Sequence, residues 1–309
     1  MRILFYNNCW FTNVGEAFID FGAICLLKKI FPQSSIACIS EMTTLYATSS
    51  PCVGNMEVSD NDILERCFDP NGFFDADYLV FPGMFACKGF VDDCKAKRMA
   101  SMMKNNGTKI VFLGMGGEKY DEEEIFACSK YFETLKPELI ITRDNTTYEN
   151  YRNVAECMKG IDCAFWVSDM YNPRGFAKEK YDVVSFNRSK EPEIFKNWEL
   201  PIIRPWHRQF TYKKNYFSEG RMISDTAFDY LTIYANANRV YTDLVHATIP
   251  ALTYGVPVKY WYIDQRSHAF AAVDNLNNEN GWLSIKPEFL ENQKEKIVDE
   301  TLRRLKLIG

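Results

Sequence analysis

The densest chemistry in the chain lies in Arg239–Val258, RVYTDLVHATIPALTYGVPV. An apolar run ends at Tyr241. Thr242 and Asp243 follow, both residue types that cap helix N-termini. Leu244, Val245, Ala247, Ile249, Ala251 and Leu252 then combine a helical period with near-continuous burial. Gly255 ends that helix and Pro257 prevents its resumption. The pattern predicts strand, turn, helix and a second strand, with His246 in the first helical turn just past a strand's C-terminal end. Open α/β sheets bind ligands at that edge. Free N–H groups and the positive end of a helix dipole there suit an anion. Imidazole is the side chain suited to moving a proton near neutral pH. A histidine that only packs and hydrogen-bonds fits the same residues.

Two other clusters carry charge to strand ends. Arg143-Asp144 closes the apolar run Leu139–Thr142, which puts a guanidinium beside the expected cleft or into a structural pair with Asp144 or another carboxylate. Arg204-Pro205-Trp206-His207-Arg208 closes a later strand and offers two guanidiniums, an imidazole and an indole that can stack on a sugar. A solvated basic loop has the same composition. His268, beside Arg266 and Ser267, reads as a surface residue. Trp10 reads as a ring-stacking group or a core filler.

The elements that must position these residues follow from hydrophobic period and punctuation. Strands are expected at Arg2–Tyr6, Ser35–Ile39, Tyr78–Phe81, Thr108–Leu113, Leu139–Thr142 and Asp162–Trp166. Helices are expected near Ala17–Lys29, Val91–Asn105, Glu122–Leu135 and Thr146–Cys157. Asn13-Val14-Gly15-Glu16, Pro82-Gly83 and Gly114–Gly117 read as turns at strand ends. Thr43–Phe74 reads as a long loop with a short helix near Asn61–Arg66. After Pro173-Arg174-Gly175 a second set begins, with strands Tyr181–Phe186, Pro201–Arg204, Arg239–Thr242 and Val258–Ile263. Helices Thr226–Ala235 and Glu288–Leu307 complete it. Alternating strands and helices of these lengths indicate parallel, doubly wound sheets. The fold class is α/β, with a Rossmann-like domain over 1–173, a second over 174–309 that includes the terminal helix, and a cleft between them, the arrangement called GT-B.

Composition narrows the function. With 309 residues the chain is natural for two domains, and its formal net charge of −5 argues against nucleic acid as a partner. No run of about eighteen apolar residues occurs to span a membrane. Asn7 and Asn8 interrupt the N-terminal apolar run, which makes it a poor signal peptide. Ten cysteines are scattered without a C-x-x-C pair, and only three histidines are present, so no zinc cluster is expected. Reduced thiols in the cytoplasm account for them.

The segment Thr242-Asp243-Leu244-Val245-His246-Ala247, with Gly255-Val256-Pro257 beyond it, resembles the C-terminal motif of the polysaccharide pyruvyl transferase family, T-D-R-x-H-A followed by G-x-P. The resemblance extends to Asn13-Val14-Gly15-Glu16 (with Glu where Asp is usual), to Phe81-Pro82-Gly83, to Gly114–Gly117 and to Arg143-Asp144. It implies transfer of a pyruvyl group from phosphoenolpyruvate to sugar hydroxyls, giving a ketal on a surface glycan such as a capsule or exopolysaccharide. It implies His246 for acid/base work or phosphate contact and Arg143 for the donor's phosphate or carboxylate. Asn13, Gly15, Glu16, Gly83, Gly116, Arg204, His207, Arg208 and Asp243 are the expected donor- and acceptor-binding residues. Neither a metal nor a further cofactor is implied. The acceptor would be a glycan or lipid-linked sugar, the latter requiring a peripheral position at the membrane; oligomeric state stays open. One residue departs from the pattern: Leu244 stands where the family has arginine. Three accounts follow. A second cation such as Arg204 or Arg208 substitutes, the donor is a nucleotide sugar, or the chain binds a glycan without turning it over.

Overall fold

The computed structural model describes residues 1–7, 13–39, 75–93, 95–207, 220–224, 226–261 and 267–307. The expected loop and short helix within 43–74, Trp10 and Arg208 lie outside them.

The first half is a parallel sheet. Its strands are β1 (Arg2–Tyr6), β2 (Ser35–Ile39), β3 (Tyr78–Pro82), β4 (Phe85–Ala86), β5 (Lys109–Gly117), β6 (Leu139–Thr142) and β7 (Cys157–Lys159), in the order β2-β1-β3-β5-β6-β7 with β4 added to the end of β5. Helices α1 (Val14–Ile30), α2 (Lys88–Asp93), α3 (Lys95–Asn105), α4 (Glu122–Leu135) and α5 (Asn145–Tyr151) connect them. β3 is buried along its whole length, as a strand covered on both faces must be. Cys163–Trp166 is a 3-10 turn running into α6 (Val167–Met170).

The second sheet contains β8 (Asp182–Ser185), β9 (Ile202–Pro205), β10 (Arg221–Met222), β11 (Arg239–Thr242), β12 (Val258–Tyr260), β13 (Asn277–Glu279) and β14 (Trp282–Ser284). Their order is β10-β9-β8-β11-β12-β14-β13, parallel except for the antiparallel edge formed by β13 and β14. Helices α7 (Ala227–Asn236), α8 (Val245–Thr253), α9 (His268–Ala271) and α10 (Pro287–Arg304) accompany it.

The two halves share one core. α1 is buried around most of its circumference, which its sequence VGEAFIDFGAICLLKKI explains by being apolar on nearly every side. It packs against the 3-10 turn, α6, α7, α8 and α10. A Cβ on Gly22 would lie 1.7 Å from the Cys163 carbonyl oxygen, so only glycine permits this approach. α10 returns from the second sheet to the first. Its buried Lys294 meets Asp169 Oδ1 at 2.5 Å, Thr301 Oγ1 lies 3.6 Å from Met158 Sδ, and Arg304 pairs with Glu156.

Several expected boundaries shift. The expected turn Gly114–Gly117 is the last part of β5, which continues to Gly117 past a bulge where Gly114 takes φ +66°. A bulge absorbs the glycine where a turn was expected. The expected strand Asp162–Trp166 is the 3-10 turn, because Asp162 caps it by accepting from Ala164 N at 2.9 Å. The expected helix Thr146–Cys157 stops at Tyr151, and Cys157 enters β7. The expected helix Val91–Asn105 is two helices, α2 and α3.

Candidate functional site

In the first sheet the strand order reverses between β1 and β3; in the second it reverses between β8 and β11. Such switch points are where open α/β sheets take ligands. Gly15 follows β1, His246 follows β11, and the two are in contact. A Cβ on Gly15 would fall 1.8 Å from His246 Nδ1 and 2.3 Å from His246 Cβ. Asn13 caps α1 through Gly15 N, 3.2 Å from its Oδ1, and its amide donates to Glu16 at 3.0 Å. Asn13 and Glu16 thus fix the helix start on which the imidazole rests.

The turn before His246 is built differently from the sequence expectation. Leu244, not Thr242 or Asp243, is the N-cap of α8, and its side chain makes no capping bond. Thr242 Oγ1 accepts from Leu244 N at 3.0 Å. The Asp243 carboxylate reaches across to the loop after β8, accepting from Asn187 N (3.1 Å), Arg188 N (3.0 Å) and Ser189 N (2.7 Å). Asp243 is therefore a clasp on that loop. It sets Arg188 at the mouth of the site, a residue that carried no motif in the sequence.

Arg143 leaves the end of β6 and lies against Gly116, where a Cβ would sit 2.4 Å from its Nε. Its guanidinium stacks 4.7 Å over the Phe85 ring. Its partner is Asp162 at 3.2 Å, not Asp144, and the two side chains are 9% and 1% exposed. Of the guanidinium's five N–H donors, only the one on Nη1 finds a partner among the described residues. Asp144 instead caps α5 through Thr147 N at 2.7 Å and accepts from Tyr120 Oη at 3.1 Å.

Tyr120 sits on a second clasped loop. Buried Glu124 accepts from the backbone N–H groups of Glu118, Lys119 and Tyr120, and Tyr120 takes φ +60°. Burial, and then the Asp144 charge, push the Tyr120 phenol up to about 12, so it stays protonated as a donor. Its ring lies 5.8 Å from that of His268 in the second half. Tyr120, His268, Arg143, Phe85, Gly117, Glu118 and Ala269 line a cavity of about 60 Å³ between the halves. His268 is thus half-buried in the cleft and not the surface residue its neighbours in sequence suggested.

His207 is fully buried. Its Nε2 lies 2.5 Å from Tyr234 Oη, and its carbonyl accepts from Val14 N at the start of α1. All three histidines of the chain therefore stand where the halves meet. Burial lowers His207 to about 3, with His246 adding to the shift. Burial likewise lowers His246 to about 3, aided by the charges of Arg143 and Arg188. Both rings are neutral at physiological pH, and the field of two guanidiniums at His246 marks a place prepared for negative charge.

The remaining expected residues stand apart. Gly83 turns the chain after β3 at φ +55° and packs on Ile19. Arg204 makes a bidentate pair with Glu191 in a separate pocket. Among the described residues no group of His, Cys, Asp and Glu is arranged to hold a metal ion, and no helix is long and apolar enough to cross a membrane.

Two Rossmann-like units facing a cleft, with both switch points meeting across it, define the GT-B architecture, and the protein is a transferase of that architecture. The sequence model of one family, polysaccharide pyruvyl transferase, matches residues 13–258. The chain belongs to the polysaccharide pyruvyl transferase family. No curated protein matches it in sequence. Among solved structures it is similar to Neisseria meningitidis UDP-GlcNAc 2-epimerase bound to UDP-GlcNAc, with TM-score 0.57 and 12% identity over 98% of this chain and 100% of that one. It is similar also to the S. aureus MnaA–UDP complex, with TM-score 0.53 and 12% identity over 98% of this chain and 90% of that one. At such identity the likeness is one of fold.

Proposed function

We propose that the protein transfers a pyruvyl group from phosphoenolpyruvate to hydroxyls of a glycan. The observation that carries this reading is Arg143, a nearly buried guanidinium with one donor engaged, acting with Arg188 on a neutral histidine at the meeting of two switch points. A planar fork with unused donors suits a carboxylate or phosphate.

The reaction would run as follows. The donor's anionic groups bind Arg143 and Arg188. Their charge offsets the guanidinium field, so His246 becomes easier to protonate and acts as the acid. It delivers a proton to the methylene carbon, leaving an oxocarbenium-like centre at the adjacent carbon. A sugar hydroxyl attacks that carbon, and its proton returns to the imidazole. A second hydroxyl of the same sugar then attacks the same carbon, the C–O bond to phosphate breaks, and the hydroxyl's proton leaves on the phosphate as the ketal closes. Arg188 supplies the cation that Leu244 does not, which favours a working site over a binding-only relative. Arg204, engaged by Glu191, is a poorer substitute.

A nucleotide sugar is the second reading, favoured by neighbours of the same fold whose structures contain UDP or UDP-GlcNAc. Calorimetric titration with phosphoenolpyruvate and with UDP separates the two. Binding of phosphoenolpyruvate that is lost in the double variant Arg143→Gln with Asp162→Asn, which leaves no buried charge unpaired, supports pyruvyl transfer; binding of UDP alone overturns it.

A further inference from the structure

A second pocket, of about 410 Å³, opens at the carboxyl ends of β8 and β9, beside Arg221 of β10. That volume lies within the range of small-molecule sites, roughly 300–1,000 Å³. Two of its lining residues connect it to the histidine site. Ser189, on its wall, donates N–H and hydroxyl to Asp243, three residues before His246. Trp206, also on the lining, precedes His207.

The lining carries four cations, Arg204, Arg221, Lys190 and Lys196, against two carboxylates, Glu191 and Glu193, and its best-enclosed ion pair is closed. Arg204 Nε and Nη2 grip Glu191 at 2.9 Å and 2.8 Å, both side chains about one-third exposed. Arg221 lies flat on the Trp206 ring, its Cζ 3.9 Å from the centroid. Lys190 and Lys196 both pair with Glu193 and are 88% and 70% exposed, where water and salt screen them. An anion that took the Arg204 fork would have to displace Glu191. A neutral ligand would not. It would meet a guanidinium whose Nη1 makes no hydrogen bond among the described residues, a carboxylate fixed in orientation by its partner, and an indole beside them.

We infer that this pocket binds an uncharged, polyhydroxylated sugar ring, held by the Arg204–Glu191 pair and bordered by Trp206, and that it is the acceptor's seat. The second clause rests on the pyruvyl-transfer reading; the first does not. Fixed donors and acceptors of one planar ion pair suit vicinal hydroxyls. A sugar seated here would lie next to the clasped loop that carries Arg188, with the histidine site immediately beyond.

The test is NMR titration of the full chain with methyl glycosides of glucose, galactose, mannose and N-acetylglucosamine, with inorganic phosphate and UDP as competitors. We expect a glycoside to bind, phosphate and UDP not to displace it, and Glu191→Gln to weaken it by roughly tenfold or more, the loss of a hydrogen bond to a charged group. Arg221→Met is the second variant, with circular dichroism reporting the fold of each. No glycoside binding, or binding that phosphate abolishes or that both variants leave unchanged, overturns the inference. Titration of the same wild-type protein with phosphoenolpyruvate is read separately, so failure of the donor reading is distinguishable from failure of this one.

Discussion

Arg143 has two duties that a single substitution cannot separate, and the structure shows how to part them. Asp162 is 1% exposed and its carboxylate has two partners, Arg143 Nη1 at 3.2 Å and Ala164 N at 2.9 Å. Arg143→Ala strands that charge in the interior. Removing one partner of a buried ion pair costs about 3–5 kcal/mol, a large share of a total stability of roughly 5–15 kcal/mol. Loss of activity in that variant would say little about catalysis. The double variant Arg143→Gln with Asp162→Asn replaces the ion pair by two neutral amides, one isosteric with Asp162 and one shorter than Arg143. It should recover stability to within about 1 kcal/mol of wild type, since loss of both charges together can be nearly neutral. It should not recover donor binding, which loses charge-assisted contacts of about 1.5–3 kcal/mol each, or roughly 10- to 150-fold. Urea unfolding followed by circular dichroism measures the first quantity and calorimetric titration with phosphoenolpyruvate the second. A double variant that is stable and binds phosphoenolpyruvate like wild type would refute the donor role of Arg143. A single variant as stable as wild type would refute the account of the buried pair.

Arg188→Ala should weaken phosphoenolpyruvate binding by roughly 10- to 150-fold, and adding Leu244→Arg should restore part of it, whereas Leu244→Arg alone should bring no gain; titration of the three variants decides, and an inert Arg188→Ala would sink the compensation argument. Gly15→Ala should displace the imidazole, because its Cβ would fall 1.8 Å from Nδ1. Overpacking of about 1–3 kcal/mol there should show as a lowered melting temperature together with lost turnover, and a variant unchanged in both would contradict the contact. Stability should fall as pH drops from about 6.5 to 3. His207 and His246 bind protons in the unfolded chain across that window but only near 3 in the folded one, so each contributes a slope of at most about 1.4 kcal/mol per pH unit. His207→Gln should flatten that slope in urea titrations at stepped pH, and an unaltered slope would contradict the burial argument.

Much of the architecture is legible in the sequence because buried parallel strands are short apolar runs closed by glycine, proline or charge. β1, β2, β6 and β11 have the expected limits. The misreadings have local causes. Gly114 looks like a turn until a bulge in β5 is seen to absorb it. Asp162 begins an apolar stretch short enough for a strand, but its side chain caps a 3-10 turn. In the site, His246 and Arg143 are visible because each is a chemically active side chain just beyond the end of a legible strand, Arg143 directly after β6 and His246 in the helical turn after β11. Arg188 and Tyr120 are not, because their positions depend on carboxylates distant in sequence, Asp243 and Glu124. Each lies on a loop whose backbone N–H groups are gathered by one buried side chain, and no local pattern announces which loop a carboxylate will hold. His268 reads as a surface residue in the sequence for the same reason: its neighbour, Tyr120, is supplied by the other half.

The passage of α10 back to the first sheet has a consequence for biosynthesis. Residues 1–173 contain an entire sheet, yet α1 at its centre keeps an apolar flank for α7, α8 and α10. A nascent chain that has exposed only its first half would present that flank to solvent, and Asp169 would have Lys29 but not yet Lys294. Native packing of the first half therefore waits until residues 287–304 have left the ribosome. Until then the apolar flank of α1 is an exposed patch that a chaperone could cover.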